Sequence, residues 1–141
     1  MSDVLSVVDA WVYAELSGDS QLATLVSGRV YEAQAPKGAE YPMVLFHVQA
    51  TAPDVIAVGT FRIFSEVVLT VRAISAGSGY GGCREIAKRV DEVLHGGRGS
   101  TEYGTVLSCY RERPIKLPPE SVGDLQYWAL GGVYRVIARG G

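Results

Sequence analysis

The sequence predicts an α+β fold: a mostly antiparallel β-sheet on which an N-terminal helix and one long amphipathic helix pack. Three observations carry that expectation. Apolar residues recur at helical spacing from Cys83 to Leu94 and at strand spacing from Met43 to Ala50 and from Phe61 to Ile74. Two further strand patterns, Tyr103 to Arg113 and Leu125 to Arg139, close the chain, and only one strand-helix-strand crossover is evident. At 141 residues the chain is expected to form one domain, residues 1–141. A domain of this size buries roughly 70% of its unfolded surface, enough for a core without disulfides.

The first helix follows Ser2 or Asp3, and Val4, Leu5, Val8, Trp11, Val12 and Leu16 make one apolar stripe that Gly18 ends. Asp19 or Ser20 then caps a short helix, Gln21 to Val26, in which Leu22, Leu25 and Val26 can pack together before Gly28 supplies a left-handed C-cap. Arg29 to Ala33 reads as a short strand, and residues 34–40 as a loop broken by Pro36 and Gly38.

A longer strand starts at Tyr41-Pro42, with Val44, Phe46, Val48 and Ala50 on one face and Leu45, His47 and Gln49 on the other. It forms a hairpin with Phe61 to Ile74, where Val67, Leu69, Val71 and Ala73 alternate with Val68, Thr70 and Arg72; Ser65 and Glu66 are expected to mark a bend or bulge. Between the two lies a projecting tip. Its Val55, Ile56 and Val58 are larger aliphatic side chains than a solvated loop needs.

The long helix places Cys83, Ile86, Ala87, Val90, Val93 and Leu94 against the sheet and its charges in solvent, with Glu85 and Arg89 as an i, i+4 pair. His95-Gly96-Gly97 stops it, setting a cation near the negative helix end. In the last strand Gly131-Gly132 is expected to form a bulge or bend. The link from Pro114 to Ser121 is too rich in proline for a central strand and reads as an extended arm or exposed loop.

The chemistry-bearing residues are few. Gly77-Ser78-Gly79-Tyr80-Gly81-Gly82 matches G-x-G-x-x-G, but a dinucleotide fingerprint belongs to a parallel βαβ unit with an acidic residue at the end of the second strand. Glu102 falls at about that distance yet begins a strand, so the glycines are expected to serve as a strand-to-helix hinge. His47 and His95 have no Ser, Cys or carboxylate at recognisable spacing, and adjacent Asp91 and Glu92 diverge on their helix. Cys83 and Cys109 lie outside any C-x-x-C pair and read as small buried residues. No catalytic residue, metal or cofactor is therefore expected.

The net charge of -2 gives no general attraction to nucleic acid or anionic membrane. Arg111, Arg113 and Lys116 with Tyr110 make a small basic cluster, expected to be a solvated strand end; Tyr127, Trp128 and Tyr134 are expected to pack on the sheet. Met1 to Leu5 carry no basic segment followed by an apolar core, and no run approaches the roughly 18 apolar residues of a membrane span, so the chain reads as cytosolic.

The order of elements resembles the tail terminator (tail completion, head-tail joining) proteins of long-tailed bacteriophages. The resemblance rests on Leu22 to Val26 running into Gly28-Arg29-Val30-Tyr31, then residues 35–42 from Ala35-Pro36 to Tyr41-Pro42, then the helix ending Val93-Leu94-His95-Gly96. It covers roughly residues 4–96, and the two closing strands match in kind. It implies a structural virion protein rather than an enzyme. In that family the subunit forms a homohexameric ring that caps the tail tube at its head-proximal end and receives the head through a completion or connector protein. DNA passes through the lumen without specific binding. The resemblance also implies assembly in the host cytoplasm, with no cofactor and no membrane contact.

The residues themselves place partner contacts at Pro53, Asp54, Val55, Ile56 and Val58 on the tip and at Ile115, Lys116 and Leu117 on the arm. Two alternatives remain open on sequence: a small nucleotide-binding enzyme using the Gly77 to Gly82 turn, or a generic oligomeric binding domain.

Overall fold

The first helix, α1 (Val4–Ser17), buries Val7, Val8, Trp11, Val12 and Leu16 along one side. Each such side chain contributes about 2 kcal/mol by leaving water. The structure, a computed structural model, describes residues 4–49, 54–56, 58–59 and 62–140, with only the backbone of Val55 and Arg62. A short α2 (Ser20–Val26) follows, capped by Asp19, whose carboxylate accepts the Leu22 N–H at 3.0 Å. It ends through two left-handed residues, Ser27 and Gly28. Leu25 does not join Leu22 and Val26 as the sequence suggested. In about two turns only the i, i+4 pair Leu22 and Val26 shares the buried side, and Leu25 is left exposed.

The strands are β1 (Val30–Glu32), β2 (Met43–Gln49), β3 (Asp54–Ile56), β4 (Arg62–Ala76), β5 (Gly99–Thr101), β6 (Gly104–Val122) and β7 (Leu125–Gly140); α3 (Gly81–Leu94) lies between β4 and β5. They form one sheet in the order β1-β2-β4-β7-β6-β5, with β3 paired to β4 off that path. Among the described residues only β1 and β2 run parallel, so the fold is α+β as the alternating patterns imply. The β2–β4 hairpin is present in the expected phase. Val44 faces Ala73 and Phe46 faces Val71, all buried.

Both long helices lie on the same face of the sheet, α1 against β7 and β6 and α3 against β4 and β7, with α2 packed on α3. That face supplies Val67, Leu69, Val71, Tyr134, Val136 and Ala138 to a core shared with Cys83, Ile86, Val90 and Leu94 of α3. The stripe read from the sequence is thus the seam between helix and sheet.

Four local expectations are corrected. Pro114 to Ser121 is not a loop but the outer half of β6, paired with β7 down to Val122 opposite Leu125. Beyond Val106, β6 is an edge strand, where a missing proline N–H breaks no ladder. Gly131-Gly132 is not a bulge against β4, since the register runs unbroken from Ser65 opposite Ala138 to Ala76 opposite Tyr127. Glycine is required by closeness instead: a Cβ at Gly131 would fall on the Val71 carbonyl oxygen and 2.8 Å from its carbon. Nor does β4 shift at Ser65 and Glu66; its extra residue against β3 is Ile63, between Arg62 opposite Ile56 and Phe64 opposite Val55. Finally, Arg89 turns from Glu85 to Asp19 and Glu92, whose carboxylates lie at 2.6 and 3.0 Å.

All three β6–β7 register shifts place the additional residue on β6, between Val106 and Ser108, Arg111 and Arg113, and Leu117 and Glu120. Each bulge bends and twists the longer strand. β6 therefore curls, and on the face without helices Leu45, Thr70, Arg72, Ile115 and Leu117 line a groove.

Candidate assembly interfaces

The Gly77 to Gly82 break is the hinge the sequence implied, and Gly77 and Tyr80 tie it to the fold. Gly77 (φ 144°) donates its N–H to the Gln126 carbonyl at 3.0 Å and accepts the Trp128 indole N–H at 2.8 Å. Within the first turn of α3, the Cys83 and Arg84 N–H groups, third and fourth in the helix, both donate to the Tyr80 carbonyl. The hinge holds the base of the β6–β7 hairpin: the Tyr80 hydroxyl donates to the Leu117 carbonyl at 2.5 Å, its ring stacks edge-on with Trp128, and Lys116 Nζ sits 4.7 Å above it.

At its other end α3 is also tied to β6. Gly96 N–H donates to the Cys109 carbonyl at 2.7 Å, and Arg111 N–H donates to His95 Nδ1 at 3.0 Å. His95 thus ties the end of α3 to β6, a contact the sequence did not suggest. Asp91 accepts the Tyr134 hydroxyl at 3.0 Å and lies 3.6 Å from Arg111. Burial and this carboxylate raise the Tyr134 phenol well above its usual range. The helix charges are therefore not all in solvent, because Asp91 and Arg89 reach partners on other elements.

The basic cluster does not form one patch. Arg111 turns to Asp91 and Lys116 to the Tyr80 ring, while Arg113 pairs across to Val133, whose side of β7 is opposite to that of Tyr134. His47 is exposed on β2. Among the described residues no group of three or more His, Cys, Asp or Glu is placed to share a metal ion, and no helix is long and apolar enough to cross a membrane.

What stands out on the surface is the apolar residues at the two ends of the sheet. At the start of β4, Ile56 (58% exposed), Val58 (101%) and Ile63 (50%) project beyond the helices. Asp54 is exposed there too and accepts the Ser65 hydroxyl. Of the other tip residues singled out by sequence, Pro53 and the Val55 side chain lie outside the described residues; the Val55 backbone pairs with Phe64. At the opposite end the β6–β7 hairpin runs past the end of β4 and exposes Val122 (62%) and Leu125 (54%) beside its Gly123-Asp124 turn. Counted along β4 at about 3.3 Å per residue, the ends are on the order of 40 Å apart.

Ile115 and Leu117, proposed from sequence as the arm's anchors, are only half-exposed and line a groove on their own sheet with Leu45 and Arg72. Sequence reasoning missed Val122 and Leu125. The signal was present: Gly-Asp between two aliphatic residues marks a two-residue hairpin turn, and Gly123 has the positive φ, 62°, that its first position requires.

Comparison with known proteins decides the family. The tail completion protein gp17 family matches residues 10–116. The chain belongs to the tail completion protein gp17 family. Members of this family are phage tail structural proteins rather than enzymes, in keeping with the resemblance read from the order of elements. A chain from a solved structure described as the virion of native gene transfer agent (GTA) particle has the same fold, with a TM-score of 0.66. The likeness covers 98% of each chain at 21% identity. A search of curated protein sequences finds no match. The family match stops at Lys116, so the arm tip lies outside it, whereas the fold likeness extends over nearly the whole chain.

Proposed function

We propose that this member of the tail completion family is a ring-forming tail terminator, a subunit that caps the tail tube at its head-proximal end and provides the surface to which the head docks. The observation that carries the reading is the pair of exposed apolar ends, Ile56, Val58 and Ile63 on one side and Val122 and Leu125 on the other. A cap between tube and head has to contact different partners at its two faces. A rigid sheet with an apolar end at each extreme suits that task. Self-association into a homohexamer, contact with the tube protein and a head completion protein, and a lumen that DNA crosses without specific readout belong to the same proposal.

Mass measurement in solution and electron microscopy of tail tubes mixed with the purified protein test it. Six-fold rings, free or seated at one end of each tube, are the expected result. Binding along the tube wall, or no binding at either tube end, would overturn it.

A further inference from the structure

One row of the face without helices crosses four strands without interruption: Leu45 on β2 pairs with Arg72 on β4, Arg72 with Gly131 on β7, and Gly131 with Ile115 on β6. The next row brings Ile74, Ala129 and Leu117 together in the same way. Gly131 and Ala129 leave β7 almost bare, so it becomes the floor of a trough. Its walls are Arg72 and Ile74 on β4 and Ile115 and Leu117 on β6. Two strand spacings of about 4.8 Å separate the walls, room for one row of aliphatic side chains.

Arg72 is half-buried at the centre of this trough, and among the described residues its guanidinium makes no hydrogen bond or ion pair. The other arginines of this face are engaged differently: Arg135 reaches Glu66 and Glu112, whereas Arg113 is exposed to water. Glu120 lines the same cavity beside Pro118, Pro119 and Tyr127 but makes no ion pair with Arg72. A guanidinium set between aliphatic walls and not paired with a carboxylate matches a ligand that is apolar at its flanks and anionic in its middle.

The arm tip has that composition. Val122 and Leu125 are exposed on either side of Asp124, which also has no partner among the described residues. The tip cannot reach the trough of its own chain. Val122 lies five residues beyond Leu117 on the same strand, roughly 17 Å farther out and pointing away. A second copy can supply it.

We propose that the Val122 to Leu125 tip of one subunit seats in the trough of its neighbour, with Asp124 on Arg72 and the two aliphatic side chains against Leu45, Ile115 and Leu117. Tip and trough are different surfaces, so the contact is head-to-tail and repeats from copy to copy until a ring closes. This rests on the ring reading and assigns the residues that would join its subunits.

Charge exchange tests it. Arg72→Glu and Asp124→Arg, each alone, are expected to raise the protein concentration needed for half-assembly by about tenfold or more, because like charges then face each other. The double variant Arg72→Glu/Asp124→Arg is expected to recover assembly. A parallel pair, Leu45→Cys with Leu125→Cys in one chain, is expected to give an oxidised ladder of linked subunits, a readout independent of how the charge variants fold. Single variants that assemble like the wild type, a double variant no better than the singles, or a cysteine pair that never links subunits would overturn the contact while leaving the ring reading intact. A wild-type chain that forms no ring in solution or on tube ends would overturn both.

Discussion

Asp19 and Arg89, 70 residues apart in sequence, meet at two points: Arg89 Nε donates to Oδ2 at 2.9 Å and Nη2 to Oδ1 at 2.6 Å. The same carboxylate caps α2 through the Leu22 N–H, so one side chain ends one helix and fastens it to another. The hydrogen bond from Arg89 is the main cause that holds the Asp19 carboxyl below its ordinary value of 3.8.

A group with a lowered folded pKa adds stability that is complete above its ordinary value and disappears as pH falls through the folded one. Asp19→Asn keeps a capping side chain but removes the charge. Its urea midpoint at pH 7 should lie below the wild type's, and the gap should narrow as the pH falls below 3.8, where Asp19 of the unfolded chain begins to protonate, and close once the folded carboxyl also takes up its proton. Asp19→Ala should cost about 1 kcal/mol more through the lost cap. An acid limb unchanged by Asp19→Asn would rule out this pair as a source of the pH dependence.

Tyr80→Phe removes the hydroxyl that holds the Leu117 carbonyl while leaving the ring against Trp128. A loss of about 1 kcal/mol is expected. Hydrogen exchange should locate it: Gln126 and Gly77 amides exchange faster, and the amides of β4 near Leu69 and Val71 do not. Uniform acceleration through the sheet would mean that the hydroxyl supports the whole fold and not the base of the arm.

Gly131→Ala forces a methyl group into the backbone of Val71, which sits in a central strand and cannot retreat. The expected cost is about 3 kcal/mol or more, beyond ordinary overpacking because the obstacle is main chain. Gly79→Ala, where the added Cβ meets nothing within 4 Å, should shift stability by less than about 0.5 kcal/mol. Denaturation midpoints of the two variants make the comparison, and equal midpoints would contradict it.

Burial, with the Asp91 carboxylate as the smaller cause, pushes the Cys109 thiol up to about 12. Since the thiolate is the reactive form, Cys109 in native protein at pH 8 should not react with a disulfide reagent, and Cys83 should be shielded by the side chains that bury it. Both of the chain's 2 thiols should titrate at once in denaturant. Rapid labelling of the native protein would place Cys109 in a more open setting than the core.

The features visible in the sequence were those set by short-range periodicity. Cys83 to Leu94 and the alternation in β2 and β4 state their buried faces directly, because each apolar residue is three or four, or two, positions from the next. Neighbours distant in sequence leave no such mark. Nothing near Pro114 says that β6 has an open edge there, and nothing near Arg89 points to Asp19. The three-residue strands β3 and β5 are too short to show a period. The apolar end at Ile56 and Val58 was legible as aliphatic residues out of place in a loop. The trough around Arg72 was not, since its shape comes from Gly131 and Ala129 on a strand nearly 60 positions away in sequence.

The arm has a mechanical consequence. β6, β7 and β4 run alongside one another, with lengths of 19, 16 and 15 residues, and the exposed tip continues the first two. A pull on the tip along the strand direction loads many rungs of hydrogen bonds together, in shear, instead of opening them one after another. Tyr80 and His95 pass part of that load into α3. The hairpin is therefore a strut: tension arriving at Val122 and Leu125 is shared by the sheet and its helix before any single strand can peel away.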